Sequence, residues 1–216
     1  MPKSTFDLTA AEARAVLKEK LRFRLAVIHM SHEGQMIRTG GVAYELLRPL
    51  DLYGLWYSRA LAWRTAPTVL RAVPMVVLAI PFLGMGWPAS WASAAAFLAA
   101  LVGAVCLASA ITTLTAITML WTVSGEGISR LIPSAVVLLS GMIVPLPLFP
   151  QWAQGVLNVL PFRGVVDLPF RLYMGHIDAH RGLFLFAHQI IWTAIIGSIA
   201  RLLMERALKR IAVQGG

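Results

Sequence analysis

The stretch AVPMVVLAIPFLGMGWPASWASAAAFLAALVGAVCLASAITTLTAITMLWTVSG, residues 72–125, runs for 54 residues without an aspartate, glutamate, lysine or arginine. A helix needs roughly 20 apolar residues to cross a hydrocarbon core of about 30 Å. The stretch is therefore long enough for two membrane-spanning helices. The sequence GWPASW, residues 86–91, predicts the turn between them, with tryptophans suited to the membrane interface.

Two further uncharged gaps, residues 131–162 and 182–200, each leave room for one more span. Only 13% of the chain is charged, against about a quarter of a soluble domain, so a soluble enzyme is excluded. The sequence predicts an all-α, polytopic membrane helix bundle of about four transmembrane helices. The expected parts are a cytoplasmic segment 1–66, a transmembrane domain 67–205 with spans at about 67–86, 92–121, 128–146 and 183–204, and a tail 206–216.

The basic residues predict the orientation. Sixteen of the 19 lysines and arginines lie before the first span, between the second and third, or at the C-terminal end. The other three are Arg163, Arg171 and Arg181. Because basic residues concentrate on the cytoplasmic side, both termini are expected in the cytoplasm. This placement explains the net charge of +9 as a membrane feature and not as a nucleic-acid-binding surface.

The cytoplasmic segment predicts a basic amphipathic helix, a short helix from Val42 to Leu47 that stops before Pro49, and a helix that leads into the first span. Thr9 and Glu12 form a capping-box pattern that opens a basic amphipathic helix, suited to anionic lipid headgroups. Asp51 is placed to cap the last of these helices.

The sequence LPFRGVVDLPFR, residues 160–171, is predicted to face outward. It follows QWAQGVLNVL, residues 151–160, whose short helix fits an interfacial or re-entrant position. Each proline can occupy the first position of a helix, and Asp167 is spaced to pair with either arginine. Two interpretations stay open: an outer gate over a translocation path, or an interfacial hairpin with wetted charges. The gate residues would be Pro161, Phe162, Arg163, Asp167, Pro169, Phe170 and Arg171.

The second predicted span carries small residues every four positions from Ala92 to Ala116. Small residues in register let helices approach closely in lipid. The stripe predicts packing inside one chain, or else a dimer seam.

Catalytic signals are weak. The chain has no phosphate-binding Gly-x-x-x-x-Gly-Lys-Ser/Thr loop, and its single Cys106 excludes disulfides. His176, Asp178 and His180 alternate in HIDAH, which is compatible with a metal on a strand or with an exposed polar turn. His188 lies in the last span as a packing or path-lining residue. We expect no catalytic residue, cofactor or metal.

The blocks VAYELLRPLDLYGLWYSRALAWR and SGMIVPLPLFPQWAQGVLNVLPFRGVVDLPFRLYMGHI resemble the permease subunits of ABC-2 type ABC transporters. The resemblance covers roughly residues 40–216. Family members usually have six spans, so it implies that the two spans ahead of the Leu-Leu-Arg-Pro block are missing here or replaced by the basic surface helix.

The resemblance implies an ATP-driven exporter subunit in a bacterial cell (inner) membrane. Its partners would be a separate ATP-binding subunit and a second permease, identical or different. The contact with the ATPase would fall on the elbow, Glu45, Leu46, Leu47, Arg48, Pro49 and Leu50. The alternatives are a membrane-embedded enzyme using His176, Asp178 and His180, or a non-transporting assembly protein.

Overall fold

The computed structural model describes residues 50–84, 86–121 and 126–214, all within the unit Arg48–Gly216. Over these residues it contains α-helices, two short 3-10 helices and no strand. The elements are α1 (Leu52–Phe82), α2 (Trp91–Met119), α3 (Glu126–Leu139), a 3-10 helix (Leu146–Leu148), α4 (Gln151–Val159), a 3-10 helix (Pro161–Gly164), α5 (Asp167–Tyr173) and α6 (Ala179–Gln214). The amphipathic helix predicted to begin at Thr9 and the short helix predicted from Val42 to Leu47 lie outside the described residues.

Three helices of the described chain are long and apolar enough to cross a membrane: α1, α2 and the part of α6 from His180 to Lys209. The described residues thus form an all-helical membrane domain. The third predicted span, 128–146, is not among the three. Its helix α3 has 14 residues, about 21 Å, which is shorter than a hydrocarbon core of about 30 Å.

The end of α3 explains this difference. The helix stops at Leu139 and Gly141 takes a φ of +86°, a left-handed conformation that glycine adopts without steric cost. The carbonyl oxygen of the buried Ser140 accepts a hydrogen bond from the Asp167 backbone N–H at 3.2 Å. The chain therefore leaves the helix where α3 meets the start of α5.

Helix α1 begins at Leu52, well before the first predicted span at 67. The predicted cap is confirmed, because the Asp51 carboxylate accepts a hydrogen bond from the Gly54 N–H at 3.1 Å. Three prolines lie inside this helix, at 67, 74 and 81. The first third of α1 packs on the bundle, whereas most side chains from residue 62 to its end are exposed.

Helices α2 and α6 pack closely and run in the same direction. A Cβ added to Gly182 of α6 would stand 3.2 Å from the Ala96 Cβ, and Gln189 fills the space in front of Gly103. The contacts thus advance by seven residues on each helix. Four alanines of the predicted stripe, Ala100, Ala104, Ala108 and Ala116, are buried within the single chain.

Candidate functional site

The Pro-Phe-Arg segment, residues 160–171, packs against the middle of α2. A Cβ added to Gly164 would stand 3.0 Å from the Leu107 Cδ2 atom. Leu107 lies sixteen residues after the first residue of α2, about 24 Å along a helix of about 42 Å. Phe162 and Val165 pack on the buried cluster that contains Leu107. The segment therefore reaches the interior of the bundle.

The two prolines start the local helices in different ways. Pro161 is the first residue of its 3-10 helix, as predicted. Pro169 is the third residue of α5, because that helix begins at Asp167, so it does not occupy the first position. Both prolines still lie in a first turn, where a backbone N–H has no intrahelical acceptor and its absence costs little.

Side chains of α6 hold the backbone of this segment. The fully buried Gln189 donates through Nε2 to the Gly164 carbonyl at 2.7 Å and to the Ala100 carbonyl of α2 at 2.9 Å. The Trp192 indole N–H donates to the Val159 carbonyl at 2.8 Å. An unpaired carbonyl in an apolar interior is costly, so these donors stabilise the segment where it lies.

His188 contributes a further anchor. Its Nε2 lies 3.2 Å from the Val159 carbonyl oxygen. Because a carbonyl only accepts hydrogen bonds, Nε2 carries the proton in this contact. The other ring nitrogen, Nδ1, is buried and has no hydrogen-bond partner among the described residues. The contact makes His188 a packing residue that holds the segment.

A buried carboxylate organises the charges of the segment. The Asp167 side chain is only 7% exposed and lies between two guanidinium groups, 3.4 Å from Arg163 and 3.7 Å from Arg171. The predicted pairing is confirmed for both arginines at once. Two positive charges share one negative charge, so removing the carboxylate would leave both arginines without this partner.

A second polar joint connects the start of α1 to α6. Arg201 Nη2 lies 2.7 Å from Asp51 Oδ2, and its guanidinium carbon stands 5.3 Å from the centre of the Tyr53 ring. Gly197 makes room for that ring, since a Cβ there would stand 2.9 Å from the Tyr53 hydroxyl oxygen. The joint combines an ion pair, a cation–π contact and a close helix approach.

An apolar cleft of about 310 Å³ lies between the start of α1, α2 and α6. Its wall includes Tyr57, Cys106, Phe186 and Ile190. The Tyr57 hydroxyl donates to the Cys106 carbonyl at 3.3 Å, and the Arg64 guanidinium hydrogen-bonds the Thr112 hydroxyl farther along α2. These contacts attach α1 to α2 beside its joint with α6.

The residues of the enzyme alternative lie apart from these contacts. His176, Asp178 and His180 are exposed around the turn that precedes α6. Over the described ranges, no group of three His, Cys, Asp or Glu side chains is placed to hold a metal ion.

Of the six predicted elbow residues, only the last, Leu50, lies in the described part of the chain. Glu45, Leu46, Leu47, Arg48 and Pro49 lie outside the described residues. Leu50 is 58% exposed and directly precedes Asp51, the residue that caps α1 and pairs with Arg201.

Sequence reasoning did not identify two candidate functional residues, Gln189 and Arg201. Gln189 is an amide inside the uncharged gap 182–200, and its isolation there is the signal that marks it as a buried donor. Arg201 reads as one of several basic residues at a cytoplasmic helix end. Only the fold brings it to Asp51, 150 residues away in the sequence.

Comparison with known families identifies one match. A family model described as ABC-2 family transporter protein matches residues 16–215, nearly the whole chain. Neither the curated proteins nor the solved structures contain a match to this sequence.

Proposed function

The chain belongs to the ABC-2 family of transporter proteins, and we propose that it is the membrane-spanning permease subunit of an ATP-driven ABC exporter. The family match over residues 16–215, together with three helices of membrane-spanning length, carries this proposal. The chain forms the translocation path with a second permease subunit, identical or different. ATP binds and is hydrolysed in a separate subunit on the cytoplasmic side.

We propose that both termini lie in the cytoplasm of a bacterial inner membrane. The parallel packing of α2 and α6 supports this topology, because the chain between two parallel spans has to recross the membrane. Helix α3 and the irregular residues after it make that crossing together. Tyr53 and Asp51 contact the C-terminal half of α6, which puts the start of α1 on the same side as the chain's end.

In this topology the Pro-Phe-Arg segment enters from outside and reaches the middle of the membrane. Irregular backbone at that depth is tolerated where protein surrounds it, and the α6 donors to Val159 and Gly164 meet this requirement. Broken helices at mid-membrane are a feature of transporter substrate paths. We assign the segment, with Pro161, Phe162, Arg163, Asp167, Pro169, Phe170 and Arg171, the role of the outer gate.

The elbow from Glu45 to Leu50 is the docking site for the ATP-binding subunit. Its last residue is exposed and continuous with the cap of α1. A ligand shifts a two-state gate only through its differential affinity for the two states. ATP-driven closure of the motor subunits therefore has to act through a contact of this kind.

The experiment is co-purification of this chain with ABC ATP-binding proteins of the same organism, followed by ATPase and transport measurements in proteoliposomes. The wild-type complex should form and turn over ATP faster than the free ATPase. Arg48→Glu or Leu47→Asp should abolish docking. Arg206→Glu, an equal charge change at an exposed position of α6, is the matched control and should dock normally. Docking and transport unchanged in both elbow variants would refute the elbow assignment.

A further inference from the structure

We infer that α6 is a lever that carries movement of the elbow to the Pro-Phe-Arg segment, with Arg201 and Gln189 as its two positioning residues. The inference rests on the proposed function and adds the route by which the cytoplasmic motor reaches the outer gate. It follows from two contacts and the helix that joins them: Asp51 pairs with Arg201, α6 carries both Arg201 and Gln189, and Gln189 binds Gly164.

The first step is the ion pair between Asp51 and Arg201, at the proposed cytoplasmic side. Asp51 is the residue directly after the elbow, and its Oδ2 holds both the Gly54 N–H and the Arg201 guanidinium. An exposed ion pair adds little stability, about 0–1 kcal/mol. Its use here is positional, because the same guanidinium also lies over Tyr53, whose hydroxyl fits against Gly197. A shift of the elbow thus acts on α6 at Arg201.

The second step is the helix itself. Helix α6 runs from Ala179 to Gln214 as 36 residues without a proline. Arg201 and Gln189 are twelve residues apart on it, which corresponds to about 18 Å. Helix α1 is less suited to carry the movement, since its three internal prolines each remove a backbone hydrogen bond.

The third step is the contact of α6 with the Pro-Phe-Arg segment, which we call the outer joint. His188, Gln189 and Trp192 lie within about one turn of α6. His188 and Trp192 contact the Val159 carbonyl, and Gln189 contacts the Gly164 carbonyl. Gln189 also binds the Ala100 carbonyl, so α2 and α6 share this anchor. A displacement of α6 therefore displaces the segment, unless these hydrogen bonds break.

The test uses the complex with its ATP-binding subunit in nanodiscs. The reporter is Val159→Cys on a Cys106→Ala background, labelled from outside with a membrane-impermeant maleimide. The labelling rate is compared without nucleotide and with a non-hydrolysable ATP analogue. The route requires an ATP-dependent change in that rate. A docked, ATP-hydrolysing complex whose labelling rate does not respond would overturn the inference and leave the proposed function intact.

Two variants distinguish the Asp51–Arg201 ion pair from the role of Asp51 as the cap of α1. Asp51→Asn keeps a side chain that caps helices well but loses the charge, and Arg201→Gln removes the other partner. Each should reduce the ATP-dependent change by roughly fivefold or more while docking is kept, as for a coupling energy of ordinary size. Because the two residues act through each other, the double variant should be no worse than either single one.

Three further variants complete the test. Gln189→Leu and the milder Trp192→Phe should reduce the response at the outer joint. Arg206→Gln, on an exposed position of the same helix, should leave it unchanged. The Asp51–Arg201 joint would be ruled out as the route if Asp51→Asn and Arg201→Gln kept the full ATP-dependent change in labelling rate. Independent and additive losses of that change in the double variant would rule it out as well. If the wild-type chain did not bind the ATP-binding subunit, this result would contradict both the proposed function and the proposed route.

Discussion

Gln189 of α6 occupies the space in front of Gly103 of α2, where an added Cβ would overlap its Oε1 atom and lie within 2.9 Å of its Cδ atom. The amide nitrogen of the same side chain bonds the carbonyls of Ala100 and Gly164. One buried glutamine thus sets the distance between the two parallel helices and fixes the Pro-Phe-Arg segment beside them.

We predict that Gly103→Ala destabilises the fold by about 1–3 kcal/mol, since the neighbouring side chain is held by two hydrogen bonds and the site is overpacked. Unfolding in detergent–SDS mixtures measures the change in the free energy of unfolding. Gly155→Ala is the control, because no heavy atom lies within 4 Å of a Cβ added there. Equal stability of the two variants would contradict the close approach at Gly103.

We predict that Trp192→Phe lowers the free energy of unfolding by about 1 kcal/mol, since it removes the donor to the Val159 carbonyl and keeps an aromatic ring in place. Trp152→Phe, at an exposed position of α4, should change it little. The same unfolding measurement compares the two. A larger loss for Trp152→Phe would mean that the α6 anchor does not hold the segment.

We predict that Asp167→Asn destabilises the protein by roughly 3 kcal/mol, because a buried carboxylate that serves two arginines loses its charge. Arg171→Gln should cost only about 0–1 kcal/mol, since Arg163 remains to pair with Asp167. Thermal unfolding of both variants in the same detergent gives the comparison. A smaller loss of stability for Asp167→Asn than for Arg171→Gln would contradict the shared ion pair.

We predict that Gly141→Val destabilises the fold more than Gly141→Asn, because the φ of +86° is strained for a β-branched residue and asparagine visits the left-handed region more readily. The valine variant should lose about 1–3 kcal/mol. Proteolysis of the purified variants would show the difference as faster cleavage after α3. Identical behaviour would indicate that the helix ends there for another reason.

Much of the fold follows from the distribution of charge. The predicted span 92–121 matches α2 within two residues, since a long apolar stretch without proline has few alternatives to a membrane helix. The third predicted span, 128–146, is helical only as far as Leu139, for a local reason. Apolar composition continues to residue 146, but the conformation of Gly141 ends the helix, and hydropathy carries no information on that.

The candidate site is only partly readable from the sequence. The spacing of Arg163, Asp167 and Arg171 predicts their pairing, because residues four apart share a helix face. The depth of the segment and the Asp51–Arg201 joint depend on contacts between residues far apart in the chain. Such contacts leave no periodic pattern, so only the folded chain reveals them.

The proposed outer gate depends on the position of the Pro-Phe-Arg segment against the middle of α2. We would test this placement by disulfide formation between Leu107→Cys and Gly164→Cys on a Cys106→Ala background, since a Cβ at residue 164 would stand 3.0 Å from the Leu107 Cδ2 atom. The matched pair is Trp91→Cys with Gly164→Cys, which places the first cysteine at the start of α2. We predict a rapid intramolecular bridge for the Leu107 pair and none for the Trp91 pair. Bridging of the Trp91 pair, with no bridge at Leu107, would contradict this placement.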